Sequence, residues 1–267
     1  MDALLRHDLD VAISAARAGT EAIRPWLGHL QGADFKGEVD PVTAADRDSE
    51  TVIIATIEAA RPDDAILAEE SGGDPLGEKR VWIIDPLDGT VNFLHGVPHV
   101  GVSVALYERG LPRVGTVVDV FRDETFTAAA GAGAHLNGVP IAVSDQASLG
   151  AALVATGFPY DRRRHAASYA AIVGEMLTEI QGMRRMGTAS LDLAWVACGR
   201  YDAFWELKLG PWDVAAGILL IQEAGGQTTD LAGRPARPGD QAVVASNVAL
   251  GEVFRTRVAA AIPPGLL

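Results

Sequence analysis

The amino-acid sequence predicts an α/β protein, and three observations carry that prediction. Two segments with helical spacing open the chain, three apolar strand-like runs follow one another between residues 100 and 130, and beyond residue 150 short strands alternate with helices. The first helix is expected over 4–27, where Leu5, Leu9, Ala12 and Ala16 recur at helical spacing until Gly19 and Pro25 weaken the pattern. Residues 28–48 are rich in Gly, Asp and Pro without any period, which predicts a surface loop or loose hairpin. A second helix is expected over 46–60: Ile53, Ile57 and Ala60 share a face, Asp46, Asp48 and Ser49 supply a polar start, and Arg61-Pro62 stops it.

The strands follow. Ala65 to Ala68 reads as a short strand that ends in Glu69 and Glu70, and 81–84 as a second that ends in Asp85. Residues 100–107, 113–120 and 125–130 read as an antiparallel meander, and Asn137-Gly138 marks a hairpin that leads to Ile141-Ala142-Val143. The pattern changes near 145–150. A strand over 152–155 precedes a helix over 165–180, a helix over 188–198 stopped by Gly199, a strand over 201–207, and a helix that Pro211 opens and Gly225-Gly226 closes. This change divides the expectation into an N-terminal lobe, 1–145, and a C-terminal α/β lobe, 146–267, in one structural unit.

Composition excludes several function classes. The 267 residues carry a formal net charge of −13, a field that disfavours nucleic acid or an anionic membrane as the main partner. No apolar run approaches the ~20 residues of a membrane helix, and the N-terminus lacks the basic-then-apolar order of a secretory signal. The single cysteine, Cys198, forms no internal disulfide, which fits a reducing cytoplasm; among Ala194, Trp195, Val196 and Ala197 it reads as a small core residue. His95 and His99 are separated by Gly96 and Pro98, so they do not share a helical face as a zinc pair does. The Gly-rich 131–138 segment lies between strand-like runs, without the helix that a dinucleotide fingerprint requires.

The most informative stretch is 81–93, VWIIDPLDGTVNF. An apolar strand ends in two aspartates that a proline and a glycine force into a tight turn, so Asp85 and Asp88 are expected at the strand end rather than inside an element. Two carboxylates converging on one turn repel each other, and a hard divalent cation between them relieves that repulsion. Glu69, Asp85, Asp88 and Asp213 are the candidates for a metal cluster, since three of them follow apolar strands or turns and no cluster of Lys or Arg lies near them in sequence. Singly, each also reads as an ordinary turn, surface or first-turn acid. The chain after the turn is expected to start a helix, which would aim the amides of Gly89 and Thr90 at an anion.

The Asp-Pro-Leu-Asp-Gly-Thr block, with Glu-Glu-Ser at 69–71 and Pro-Trp-Asp-Val-Ala-Ala-Gly at 211–217, resembles the inositol monophosphatase family of Mg-dependent, lithium-sensitive phosphatases. The blocks occur in the family's order and span most of the chain. The resemblance implies alternating helix and sheet layers in a sugar phosphatase-like fold. It also implies two or three Mg²⁺ ions held by Glu69, Asp85, the carbonyl of Leu87, Asp88 and Asp213. Thr90 and Asp46 would orient the attacking water and accept its proton, with Glu69 close by. Asp46 reads equally as a helix cap, and Lys36 either as a lysine near a third metal or as a solvated loop residue. Glu206 and the turn Gly187-Thr188-Ala189 match positions that line the leaving-group pocket, although Thr188 also reads as a cap. Arg184 and Arg185 either reach a second anionic group or solvate a strand end.

What the resemblance implies for function is hydrolysis of a small phosphate monoester, a phosphorylated polyol. Inositol 1-phosphate leads; fructose 1,6-bisphosphate, histidinol phosphate and 3′-phosphoadenosine 5′-phosphate are the alternatives, and the working form is a homodimer. The reading from another class is a regulatory binding protein that keeps the fold.

Overall fold

The computed structural model describes residues 1–29, 33–36, 41–73, 77 and 79–267. The predicted N-terminal helices are α1 (Ala3–Ile23) and α2 (Ala44–Ala60). Asp2 caps α1 by accepting from the Leu5 amide, and Pro25 ends it in a 3-10 turn, Arg24–Trp26, so the helix stops short of residue 27. Gly19 is no weak point. It is the crossing with α2, where an added Cβ would lie 2.6 Å from Ile53 Cδ1. The cap of α2 is Thr43; Asp46 sits in the first turn and accepts from the Thr43 amide at 2.8 Å, which moves the predicted start back to Ala44. Between the helices β1 (Asp34–Phe35) and β2 (Pro41–Val42) pair antiparallel as a loose hairpin, while residues 30–32 and 37–40 of the expected loop lie outside the described residues.

Next come β3 (Ala65–Ala68), β4 (Gly72–Gly73), β5 (Arg80–Asp88), the short helix α3 (Thr90–Leu94), and the meander β6 (Gly101–Glu108), β7 (Leu111–Asp119) and β8 (Glu124–Ala129). β9 (Ala134–Leu136) and β10 (Val139–Pro140) close over Asn137 and Gly138, whose φ angles of 50° and 79° are those of the predicted two-residue hairpin turn. One expectation is corrected here. β5 does not end at Asp85 but continues to Asp88 through a bulge, because Asp85 faces Ser103 and Asp88 faces Gly101. The irregularity spends one extra residue and re-aims both carboxylates.

The second half contains β11 (Leu153–Thr156), α4 (Arg162–Leu177), β12 (Gly182–Arg184), α5 (Ala189–Ala197), β13 (Ala203–Leu207), α6 (Pro211–Glu223), β14 (Gln227–Thr229), β15 (Ala242–Ser246) and α7 (Val248–Ala261). The sequence-based expectations give β12 only as a strand end at Arg184 and Arg185 and stop at Gly226, although Asn247 caps α7 and Leu250, Phe254 and Val258 mark its buried face at helical spacing.

Among the described residues the larger sheet has eight strands in the order β10-β9-β8-β7-β6-β5-β3-β4, and a second has five in the order β12-β11-β13-β15-β14. The two-residue period of β5 sorts its side chains into two cores. Trp82 and Ile84 pack under α1 and α2, while Val81 and Ile83 pack with Leu191, Val214 and Leu219 of α5 and α6. Phe204 and Ala245 of the smaller sheet cover α5 and α6 from the far side, and Trp205 and Val244 face Tyr169, Phe254 and Val258 of α4 and α7. The layers therefore run helix, sheet, helix, sheet, helix.

A buried charge cluster ties the outer helix pair to β5. Asp8 Oδ1 accepts from Arg61 Nε and Nη2 at 2.9 and 2.7 Å and from Arg80 Nη2 at 2.9 Å. Asp8→Ala leaves two partly buried guanidiniums without this partner, and a loss of about 2 kcal/mol in denaturant unfolding is expected. A change below about 0.5 kcal/mol, the scale of ordinary surface substitutions, would mean that solvent satisfies both arginines.

Candidate active site

The bulge of β5 and the first turns of α2, α3, α5 and α6 meet at one place, and each brings a polar group. Ser49 of α2 donates to the Pro86 carbonyl at 2.7 Å, and the Leu87 amide donates to Asp85 Oδ1 at 3.1 Å, so the acidic turn is held from inside and from behind. The first-turn amide of Ser190 in α5 donates to Asp88 Oδ2 at 2.7 Å, and the Gly210 amide donates to Asp213 Oδ2 at 2.6 Å at the start of α6. Carboxylates are favoured at such helix starts by the local dipole.

Asp85, Asp88 and Asp213 each direct one oxygen to a common point, all within 4.8 Å of one another. Asp85 and Asp88 are buried. Burial, then the charges of Glu69, Asp88 and Asp213, hold the Asp85 carboxyl well above the usual carboxylate range. Burial pushes Asp88 up to about 6 against the hydrogen bonds from Ser190, and burial with the Asp88 charge raises Asp213 well above its ordinary value. Three crowded acids of this kind are a poor arrangement by themselves and a good one around a hard divalent cation, whose ligands are carboxylate and carbonyl oxygens. The donor set fits such an ion.

Glu69 stands at the edge of this cluster. Burial lifts it to about 7 against the Lys36 ammonium. Lys36 reaches over from the hairpin side of the chain, donating to Glu69 Oε1 at 3.1 Å and to Glu70 Oε1 at 2.6 Å. Burial opposes its charge, but Glu69 and Glu70 outweigh that and raise its pKa. Of the two readings of Lys36, the structure places it in the site.

Thr90 and Asp46 also come together. Thr90 Oγ1 is 3.1 Å from Asp46 Oδ1 and 3.2 Å from the Leu87 carbonyl, so its one proton has two acceptors. The other Asp46 oxygen accepts from the Thr43 hydroxyl and amide, and burial raises the group's pKa against these bonds. Asp46 thus serves α2 and faces Thr90 at once. Gly89, with φ 96°, starts α3 as expected.

Lys36, Glu69, Asp88, Thr90 and Asp213 line a cavity of about 420 Å³ together with Glu206, Gly187 and Ala189. Glu206 is buried and lifted to about 8 by burial, with Arg185 opposing and Asp88 adding to the shift. Its carboxylate fills the space that a side chain on Gly157 would need, 2.2 Å from an added Cβ. Thr188 starts α5, but its hydroxyl donates to the His99 carbonyl at 2.9 Å rather than to its own helix. Of the arginine pair, Arg185 lines the cavity and stacks on Phe158 at 5.5 Å, whereas Arg184 is exposed on β12. Sequence reasoning missed the aromatic walls Phe158, Tyr160 and Trp212, and the role of Ser190. Nothing in the local pattern marks a backbone amide as a carboxylate partner. His99 is buried, and burial and then Arg122 lower its pKa to about 4. Cys198 packs half-buried against the core.

Known proteins resemble this chain in sequence and in fold. The inositol monophosphatase family matches residues 4–263. Nus factor SuhB of Pseudomonas aeruginosa is 42% identical over 265 residues, which cover 97% of this chain and 98% of that protein. Inositol-1-monophosphatase of Rhizobium meliloti is 40% identical over 263 residues, covering 96% and 97%. Among solved structures, inositol monophosphatase from Anabaena superposes with a TM-score of 0.87 at 40% identity over 97% of this chain and 98% of that one. Mycobacterium tuberculosis SuhB does so with 0.81 at 32% over 95% and 96%. With a match that runs nearly from end to end and a shared layered fold, this chain belongs to the inositol monophosphatase family.

Proposed function

We propose that the protein is a Mg²⁺-dependent phosphatase that hydrolyses a small phosphate monoester, with inositol 1-phosphate as the leading substrate. The observation that carries this reading is the acidic cluster of Asp85, Asp88 and Asp213, of which Asp88 and Asp213 line the same cavity as Glu206. Asp85, Asp88 and Asp213, with Glu69 and the Leu87 carbonyl, would hold two or three ions; when bound, these supply Lewis acidity at the phosphoryl oxygens and charge for the departing alkoxide. Residues 1–145 contribute the acidic turn and residues 146–267 close the site with Glu206 and Asp213.

The side chains divide the remaining work. Thr90 Oγ1 donates to Asp46 Oδ1 and keeps its lone pairs for a proton of the attacking water, so the pair orients that water and moves its proton toward Asp46. Glu69 lines the same cavity as Thr90. The first-turn amides of α3, which have no acceptor within the helix, face the phosphate from Gly89 and Thr90. Glu206, which lines the cavity with Gly187 and Ala189, accepts hydroxyl hydrogen bonds from the leaving polyol.

The test is phosphate release from inositol 1-phosphate, fructose 1,6-bisphosphate, histidinol phosphate and 3′-phosphoadenosine 5′-phosphate, with and without Mg²⁺. Mg²⁺-dependent release strongest with inositol 1-phosphate is expected; preference for another ester reassigns the leaving group, and no release from any removes the enzymatic reading. The family resemblance and the lone Cys198 support a homodimer working in a reducing cytoplasm. No helix among the described residues is long and apolar enough to cross a membrane.

A second reading has its own support, because several similar proteins bear the name Nus factor SuhB. In it the chain acts by binding a partner, and a net charge of −13 favours a protein over nucleic acid. A chain with Asp88→Asn that retains the cellular role of the wild type would favour this reading over catalysis.

A further inference from the structure

Asn92 lies in the most informative stretch of the sequence, yet nothing in the mechanism above uses it. It is half-buried on α3, and its side-chain amide nitrogen lies 2.8 Å from the His99 carbonyl, 2.8 Å from the Met186 carbonyl and 3.3 Å from Thr188 Oγ1. These acceptors belong to two separate stretches of chain. His99 precedes β6 in the N-terminal half, and Met186 and Thr188 flank Gly187 in the turn that opens α5. The Thr188 hydroxyl donates to the same His99 carbonyl, which makes that oxygen the shared acceptor of both side chains.

Two glycines lie close to this amide. A Cβ on Gly89 would lie 2.5 Å from Thr188 Oγ1, 3.1 Å from the His99 carbonyl and 3.5 Å from Asn92 Nδ2, and one on Gly187 would lie 3.8 Å from the same nitrogen. Both glycines also have positive φ, 96° and 82°, which favours glycine for a second reason. The Asn92 amide thus stands between the phosphate turn and the leaving-group turn, with one glycine on either side.

We propose that Asn92 is a positioning residue that locks the turn 186–188 onto the phosphate turn 88–90, and that it thereby sets how strictly the enzyme selects its leaving group. This rests on the phosphatase reading for its kinetic part only. The phosphate turn has other supports, from Ser49 to Pro86, from Ser190 to Asp88 and from Thr90 to Asp46. The turn 186–188 is tied across to α3 and the His99 carbonyl by Asn92 and Thr188. Losing the Asn92 amide therefore frees the leaving-group side and spares the phosphate side. The carbonyls of His99 and Met186 each lose a partly buried donor, which costs a local opening constant about tenfold.

The experiment compares wild type with Asn92→Ala, Asn92→Ser and Thr188→Val, each in the full chain. Amide hydrogen exchange is expected to quicken about tenfold over 186–188 and to change little over 84–90 in both Asn92 variants. In kinetics, kcat/KM for a polyol phosphate should fall about tenfold while that for p-nitrophenyl phosphate, which presents no hydroxyls, falls much less. Thr188→Val, which removes the other tie to His99, should resemble Asn92→Ala. Unchanged exchange at 186–188, or equal quickening at 84–90, overturns the lock even if the protein hydrolyses no ester. Correct exchange with equal losses on both esters overturns the selectivity role. Should Asn92→Ala fail to fold, Asn92→Ser, which keeps a small polar side chain, reads the same exchange.

Discussion

Asp88→Asn is expected to abolish phosphate-ester turnover while leaving the fold intact. The substitution keeps the volume and one carbonyl-type oxygen, so the 2.7 Å bond from the Ser190 amide has an acceptor either way. It removes one of three carboxylates whose oxygens lie within 4.8 Å of one another, and with it one negative charge that a divalent ion would need. If the ion supplies several kcal/mol of transition-state charge stabilisation, the loss is on the order of a thousandfold or more in kcat. Mg²⁺ titration by calorimetry should show weaker binding in parallel. In chelator the sign for stability reverses. Burial holds Asp88 at about 6, above its ordinary value, so its ionised form destabilises the ion-free fold above that pH. Near neutral pH the variant should therefore unfold no sooner than wild type. Wild-type turnover in the variant at saturating Mg²⁺ would remove Asp88 from the reaction.

How much of this was legible in the sequence depends on the distance over which each signal acts. The elements were legible because their signals are local: Pro25 ends α1, Asn137-Gly138 turns a hairpin, and Pro211 opens α6. The acids of the central turn were legible for the same reason, as were their neighbours Thr90 and Gly89. Three things were not. The bulge that carries β5 on to Asp88 depends on where β6 lies, since Gly101 is what Asp88 faces. The Lys36 pairing depends on a chain reversal between residues 36 and 69 that no local pattern encodes. The bond from Ser190 to Asp88 joins a backbone amide to a carboxylate 102 residues away. Positions whose chemistry is in the side chain can be read singly; positions whose chemistry is in a meeting of two chains cannot. The same division applies to Gly157, where the carboxylate of Glu206, 49 residues further on, occupies the space beside it.

Glu206→Gln is expected to separate recognition of the leaving group from the chemistry at phosphorus, and to carry a pH signature of its own. Glu206 lines the cavity with Asp88 and Asp213 but is no member of their cluster. Its loss should lower kcat/KM for a polyol phosphate by about tenfold, the scale of a hydroxyl contact in a closed pocket, and affect p-nitrophenyl phosphate less. Equal losses on both esters would take Glu206 out of substrate recognition. Burial places its folded pKa at about 8, against an ordinary value of 4.5. The folded protein thus holds a proton that the unfolded chain has released between those two values. Wild-type stability should accordingly fall as pH rises through that window, by up to about 1.4 kcal/mol per pH unit from this group alone, and level off above its upper end. Glutamine resembles the neutral acid and has no such term. Thermal unfolding in chelator should therefore find wild type and variant similar near pH 5 and the variant more stable by about pH 9, in keeping with that linkage. Parallel curves would mean that Glu206 is already ionised in the folded protein. Arg185, which opposes the shift, would then be its working partner, and the polyol would meet an ion pair rather than a buried acid.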